Sequence, residues 1–296
     1  MRKVALRLHA LLPRQYDHRK VLATTVDAWG RALWLICPDA ELTPHPYGSP
    51  YPGPRSYPYD ALLVTGDGGT VQERTLHGVG VRAGHVDTLP NGRLIVQGRG
   101  PGGESVAQIY GRDGRSRHSF EMGRAMQFLI ADRRNHVWSA YADEGVYADP
   151  ISFAGLVRWD SGGRREWRYS PPEGVEHIDT VYALNVEDDV AWASYHPTFP
   201  LLEVRTNGQT RIRKSPVAAP LGMAVQGEEI VMLGGDRQHD RLHRCRMKGH
   251  DVVLIEEAQL TRPDGAPLKR YALPVGRGRH LYLRGSSANQ WFAFTV

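Results

Sequence analysis

Met126-Gln127-Phe128-Leu129-Ile130-Ala131, a polar turn at Asp132-Arg133-Arg134-Asn135, and His136-Val137-Trp138-Ser139-Ala140-Tyr141 are the residues on which the fold of this chain is read. They are followed by Gly155-Leu156-Val157-Arg158-Trp159, a second turn at Asp160-Ser161-Gly162-Gly163, and Arg164 to Tyr169. Each apolar run is short and rich in β-branched and aromatic side chains. The residues between runs are Asn, Asp and Gly, which accept the positive φ angles of tight hairpins. The spacing predicts four short antiparallel strands within residues 126–169.

The same plan recurs along the chain. Apolar runs with a bulky centre appear at Leu33-Trp34-Leu35, Leu94-Ile95-Val96, Val137-Trp138-Ser139, Ala191-Trp192-Ala193, Val231-Met232-Leu233 and Leu281-Tyr282-Leu283, their centres 61, 43, 54, 40 and 50 residues apart. Each is second in a group of four strand-like segments. Turn signals at Gly66-Asp67-Gly68-Gly69, Pro90-Asn91-Gly92, Arg112-Asp113-Gly114, Thr206-Asn207-Gly208 and Lys248-Gly249 punctuate them. Repeated four-stranded units of this length are the signature of β-propeller blades. The expected fold is all-β: one six-bladed propeller domain over residues 1–296, with four antiparallel strands per blade. The blades are expected at about 21–76, 84–122, 124–170, 177–215, 221–258 and 267–296. The last group shows only three strands, and the segment Lys3 to Leu11 is expected to supply its fourth, closing the ring and leaving no open sheet edge.

Composition supports this reading and narrows the function. With 32 Gly and 20 Pro in 296 residues the chain is no helical bundle, and at 41% apolar it is no disordered one. The net charge of +5 is spread among alternating signs without a basic run, which argues against nucleic acid as a partner. Cys37 and Cys245 have no metal-binding spacing and read as idle thiols of a reducing, cytoplasmic compartment. The N-terminal apolar stretch is interrupted by Arg7 and His9 and lacks a small-residue cleavage site, so it is not read as a signal peptide. No run of about 18 apolar residues exists to span a membrane. A monomer is expected.

In such a ring the connections from second to third strand, and from one blade to the next, share a face. The longest of them, Pro38 to Asp60, is stiffened by prolines and carries Tyr47, Tyr51 and Tyr57 in its 44–59 core, an expected aromatic lid over the channel mouth. Two matching segments, His85-Val86-Asp87-Thr88 and His177-Ile178-Asp179-Thr180, are expected to open inner strands on either side of the third blade. Asp143 and Glu144 are placed on the same face, as is His196. Carboxylates and imidazoles so gathered could bind a ligand or hold a divalent cation, Ca²⁺ or Mg²⁺, with Asp87, Asp179 and Glu144 as metal ligands and His85 or His177 as catalytic proton carriers. The competing role is architectural: buried His and Asp side chains that tie an inner strand to its neighbour. No nucleophile elbow, phosphate loop or dinucleotide fingerprint is present, since Gly98-Arg99-Gly100-Pro101-Gly102-Gly103 is followed by no helix pattern.

From His136 to Val146, Gly155 to Asp160, Asp179 to Val186 and Phe199 to Leu202 the wording resembles uncharacterised bacterial propeller proteins of the broad NHL/WD40-like group. The resemblance implies a cytoplasmic six-bladed ring and carries no activity. The leading expectation is a binding scaffold, its small-molecule or protein partner at the channel mouth under the 44–59 loop. The alternative is a metal-dependent hydrolase or lyase, lactonase-like or streptogramin-lyase-like. A protein-binding platform on the outer blade surfaces is the third.

Overall fold

The computed structural model describes residues 1–37, 42–43, 53–54, 56–235, 238–268 and 274–296. Its elements are strands apart from short 3-10 turns and one four-residue helix, Asp143–Val146. The strands group into antiparallel sets, labelled here I to VI in chain order. Set I holds Lys20–Val26, Ala32–Cys37, Tyr59–Asp67 and Thr70–Val79; set II holds Arg82–Thr88, Leu94–Arg99, Ser105–Tyr110 and Ser116–Glu121. Set III holds Met126–Ala131, His136–Tyr141, Leu156–Asp160 and Arg165–Arg168; set IV holds Val181–Glu187, Val190–Tyr195, Leu201–Arg205 and Thr210–Arg213. Gly222–Gln226, Glu229–Leu233, Arg241–Lys248 and Asp251–Thr261 make set V, and Pro274–Arg277, His280–Arg284 and Gln290–Thr295 belong to set VI.

Local chemistry explains the hairpins. Asp27, Asp132 and Asp160 each open a five-residue turn, with Oδ1 accepting the backbone N–H groups two and four residues on. The other carboxylate oxygen accepts from the side chain of the fourth residue on, Arg31, His136 or Arg164. The position before that side chain has positive φ and is Gly30, Asn135 or Gly163, residues that tolerate it.

The second strands, whose bulky centres announced the repeat, lie deep inside: Trp34, Ile95, Trp138, Trp192, Met232 and Tyr282 are all buried. Core clusters form between neighbouring sets. Tyr59, Leu76 and Val79 of set I pack with Val86, Val96 and Tyr110 of set II, and the same holds for II with III, III with IV, IV with V, and V with VI. Trp34 and Val64 of set I share a cluster with Tyr282 and Trp291 of set VI, so the sequence of interfaces returns to its start.

The N-terminal segment is where the structure departs from expectation. Lys3 to Leu11 is not one strand. Arg7–Leu11 pairs antiparallel with Gln290–Thr295 and completes set VI, whereas Arg2–Ala5 pairs parallel with Ala258 to Thr261 as a fifth strand on set V. Leu6, between them, is 2% exposed and packs with Leu260, Leu281 and Phe292. The apolar residue at the crossing has to be buried somewhere, and the groove between the two sets is the nearest apolar surface.

The innermost strands converge at their hairpin ends. Gly276 of set VI pairs with Asn185 of set IV, joining those sets into one eight-stranded sheet. A Cβ at Gly276 would lie 2.7 Å from the Met223 carbonyl oxygen and 2.8 Å from that of Leu184, so the approach requires glycine. Asn185 Nδ2 donates to the carbonyls of Met223 and Gly278, tying sets IV, V and VI. No helix among the described residues is long and apolar enough to cross a membrane.

Candidate functional site

Four inner or third strands carry a β-bulge near the mouth end: register shifts fall between Val21 and Ala23, Tyr59 and Ala61, Met126 and Phe128, and Val181 and Ala183. Set II has its own shift, at Gln97/Gly98 against His85 and Ala83, which leaves Gly84 unpaired. Bulges re-aim side chains. Here they turn Gln127 and the Gly84-His85 pair toward a cleft of about 660 Å³ between sets II and III.

That cleft is lined by Arg82, Arg99 and Arg124, by His85, Gln97, Gln127 and Ser105, and by one acid, Glu144, on the short helix. His85 Nδ1 lies 2.8 Å from Gln97 Oε1, and Gln97 Nε2 donates to Ser105 Oγ at 2.9 Å. Both ring nitrogens of His85 face oxygen acceptors, Nδ1 the Gln97 amide and Nε2 the Gln127 carbonyl at 3.4 Å. Burial holds the imidazole below the usual histidine range, so it is neutral at pH 7.

Asp87 plays a different part. It is fully buried at the hairpin end of the channel, with Oδ1 accepting from Thr88 N at 2.8 Å. Its Oδ2 accepts from Ala131 N at 2.7 Å and from Arg277 Nη2 at 2.6 Å. Arg277 also donates from Nε to the Val26 carbonyl at 3.0 Å and from Nη1 to that of Ala131. One guanidinium thus ties sets I, II, III and VI as a plug among their inner strands. Burial pushes the Asp87 carboxyl up to about 6 against the attraction of Arg277 and the hydrogen bonds it accepts.

The two His-x-Asp segments are therefore not equivalent. The inner strand of set II begins at Arg82, which puts His85-Val86-Asp87-Thr88 in its second half. That of set IV begins at Val181, so His177-Ile178-Asp179-Thr180 lies in the connection before it. The difference arises because the link from III to IV is long, residues 169–180, whereas that from I to II is two residues, 80–81. Asp87 ends at the plug and Asp179 at the mouth, where its Oδ2 accepts from His196 Nδ1 at 2.7 Å. His177 bonds to the Ile178 carbonyl and packs on Phe153, ring centres 4.9 Å apart. Asp143 opens the helix, its N–H donating to Thr180 Oγ1.

Asp87, Asp179 and Glu144 do not form a shared ligand set: among the described residues no group of three His, Cys, Asp or Glu side chains is placed to hold a metal ion. Tyr57 is half-buried against Tyr59 and serves the core between sets I and II. Tyr47 and Tyr51 lie outside the described residues. Sequence reasoning missed Arg82, Arg99, Arg124, Gln97 and Arg277. The run Gly98 to Gly103, read in the sequence only as no dinucleotide fingerprint, supplies Gly98, Arg99 and Gly103 to one wall of the cleft, and glycine at 98 lets the strand pass where a Cβ would meet the Arg82 carbonyl at 1.9 Å.

No family model matches the sequence, and no curated protein sequence matches it. Among solved structures the chain is similar to a catalytically inactive virginiamycin B lyase from Staphylococcus aureus determined with quinupristin, at 13% identity and TM-score 0.51 over 98% of this chain and 99% of that one. It is also similar to Hsv2 from Kluyveromyces marxianus, at 9% identity and TM-score 0.50 over 90% and 74%, and to BamB from Moraxella catarrhalis, at 11% and 0.47 over 93% and 83%. These are β-propeller proteins, and the first two likenesses, with the repeated four-stranded sheets, define the class: this chain has a β-propeller fold. At such identities the likeness is one of architecture.

Proposed function

We propose that sets I to VI are the six blades of one closed ring over residues 1–296, and that this ring is a monomeric binding scaffold for a small anionic molecule at the channel mouth. The observation that carries the reading is the cleft between sets II and III. Its described lining sets three arginines against one glutamate, with the Gln97–His85 pair adding neutral hydrogen-bonding groups. A volume of about 660 Å³ suits a metabolite-sized ligand. Guanidinium groups favour carboxylate or phosphate because their paired N–H donors match two oxygens at once.

The test is thermal unfolding with citrate, inorganic phosphate and, as a neutral control, glucose. Citrate or phosphate at 100-fold over its Kd should stabilise the wild type by about 2.7 kcal/mol, and glucose should not. The stabilisation should vanish in Arg124→Glu and weaken with added salt. No response to either anion, or an equal response in Arg124→Glu, overturns the assignment.

A further inference from the structure

On the mouth face, the link that enters set IV and the turn after its second strand bring Asp179 and His196 together. We propose that His196 is a general base there, positioned by Asp179, for hydrolysis of esters carrying an aromatic group. Asp179 is bound to the ring at Nδ1, 2.7 Å away, which fixes the proton on that nitrogen and leaves Nε2 with its lone pair. The side chain of His196 is 44% exposed, so water reaches it, while that of Asp179 is only 23% exposed and its Oδ1 is buried without a partner. A carboxylate so placed has one strong interaction, with the imidazole, and gains from the imidazolium that forms when His196 takes a proton.

Two comparisons within the molecule single this pair out. His136 also bonds an aspartate, Asp132, but its other nitrogen faces Glu166 at 3.6 Å, so it has no free edge. His77 bonds Asp60 at 2.8 Å, but both are more than half exposed and no aromatic ring packs on them among the described contacts. At His196 the ring of Phe199 stands edge-on at 5.7 Å, and Tyr182 stands edge-on to Phe199 at 5.1 Å. Tyr182 is the bulged residue of its strand and is 37% exposed. Phe199 is held at φ 51°, a backbone conformation costly for a bulky residue and found where the surroundings impose it. Strand bulge and strained loop together set an aromatic shelf beside a histidine with a free nitrogen, which is the layout for seating a planar ring next to a base.

In the step, Nε2 takes a proton from water as the oxygen adds to the ester carbonyl. The acyl C–O bond then breaks and the imidazolium returns that proton to the leaving oxygen, so ester and water become acid and alcohol with the histidine restored. The probe is 4-nitrophenyl acetate under multiple turnover. His196→Ala should lower kcat/KM by about tenfold or more and remove the ascending limb of the pH–rate profile, and Phe199→Ala should raise KM. Asp179→Asn should lower kcat and alter that profile, which a merely structural role would not do, and Asp179→Glu should restore part of it. His77→Ala should match the wild type. Equal activity in wild type and His196→Ala, each with an unchanged melting midpoint, overturns the proposal, as does equal loss in His77→Ala.

Discussion

Replacing Arg277 by Met tests how the ring is held at its centre, and the size of the effect follows from the site. Asp87 has no solvent access and no second cation among its hydrogen-bond partners. Without Arg277 its carboxylate would be an unpaired buried charge, and burial that already raises it to about 6 with the arginine present would then hold it protonated at pH 7. The wild type already carries this carboxyl at about 6, so holding it protonated costs the variant about 1.4 kcal/mol per pH unit above that value, hence about 1.4 kcal/mol more than the wild type at pH 7 and almost nothing more at pH 5. The sign is that of a raised acid: its contribution is fully present below the unfolded value and is lost as pH climbs toward the folded one. At about 2.1 cal/mol/K per residue, 1.4 kcal/mol corresponds to a fall of roughly 2 °C in Tm at pH 7 for a chain of this length. Urea unfolding of wild type and Arg277→Met at both pH values measures it, and the double variant Asp87→Leu/Arg277→Met should recover most of the loss and its pH dependence. A deficit that is equal at pH 5 and pH 7, or below about 1 kcal/mol at pH 7, would refute the argument that the pair is a dry, obligatory plug.

Three further outcomes can be checked with the same unfolding assay. Leu6→Ala should cost about 2–5 kcal/mol, and limited proteolysis should then release the N-terminal strands first; a resistant N-terminus would show that the crossing residue is not what anchors them. Gly276→Val should cost about 3 kcal/mol or more through collision with the carbonyls of Met223 and Leu184, and a normal midpoint would reject the close approach of sets IV and VI. Trp138→Ala, at a fully buried second-strand centre, should cost about 3–5 kcal/mol, whereas Trp29→Ala, at a hairpin tip 42% exposed, should stay within about 0.5 kcal/mol.

The strands were legible because their signal is local. Alternation around Trp138 and Trp192, and Asp or Asn turns with a left-handed fourth residue, are written in adjacent residues. The site was less legible because its parts meet only through the third dimension. Asp179 and His196 were each visible, but their pairing depends on the first strand of set IV running antiparallel to the second, which brings residues 17 apart together. Asp87 and Arg277 are 190 residues apart, and nothing near Gly276-Arg277-Gly278 announces a buried cation. The equivalence expected of the two His-x-Asp segments failed for a related reason: four matching letters do not fix a register, which is set by where each strand begins. The split of the N-terminal segment at Leu6 was hidden too, since either side of it reads as strand.

That split has a consequence in time. Residues 2–5 and 7–11 pair with residues 258–261 and 290–293, so the earliest part of the chain has its partners among the latest. At roughly 5–20 residues per second of synthesis, the first strands wait on the order of 15–60 s for them. Contacts of such long separation form slowly even in a complete chain, because the whole intervening loop must be closed before they contribute. Until then Arg2–Ala5 and Arg7–Leu11 have no strand to pair with and are open to pairing with other chains. Dilution should therefore raise the yield of native protein more than any change at the cleft, which forms between sets II and III early in the chain.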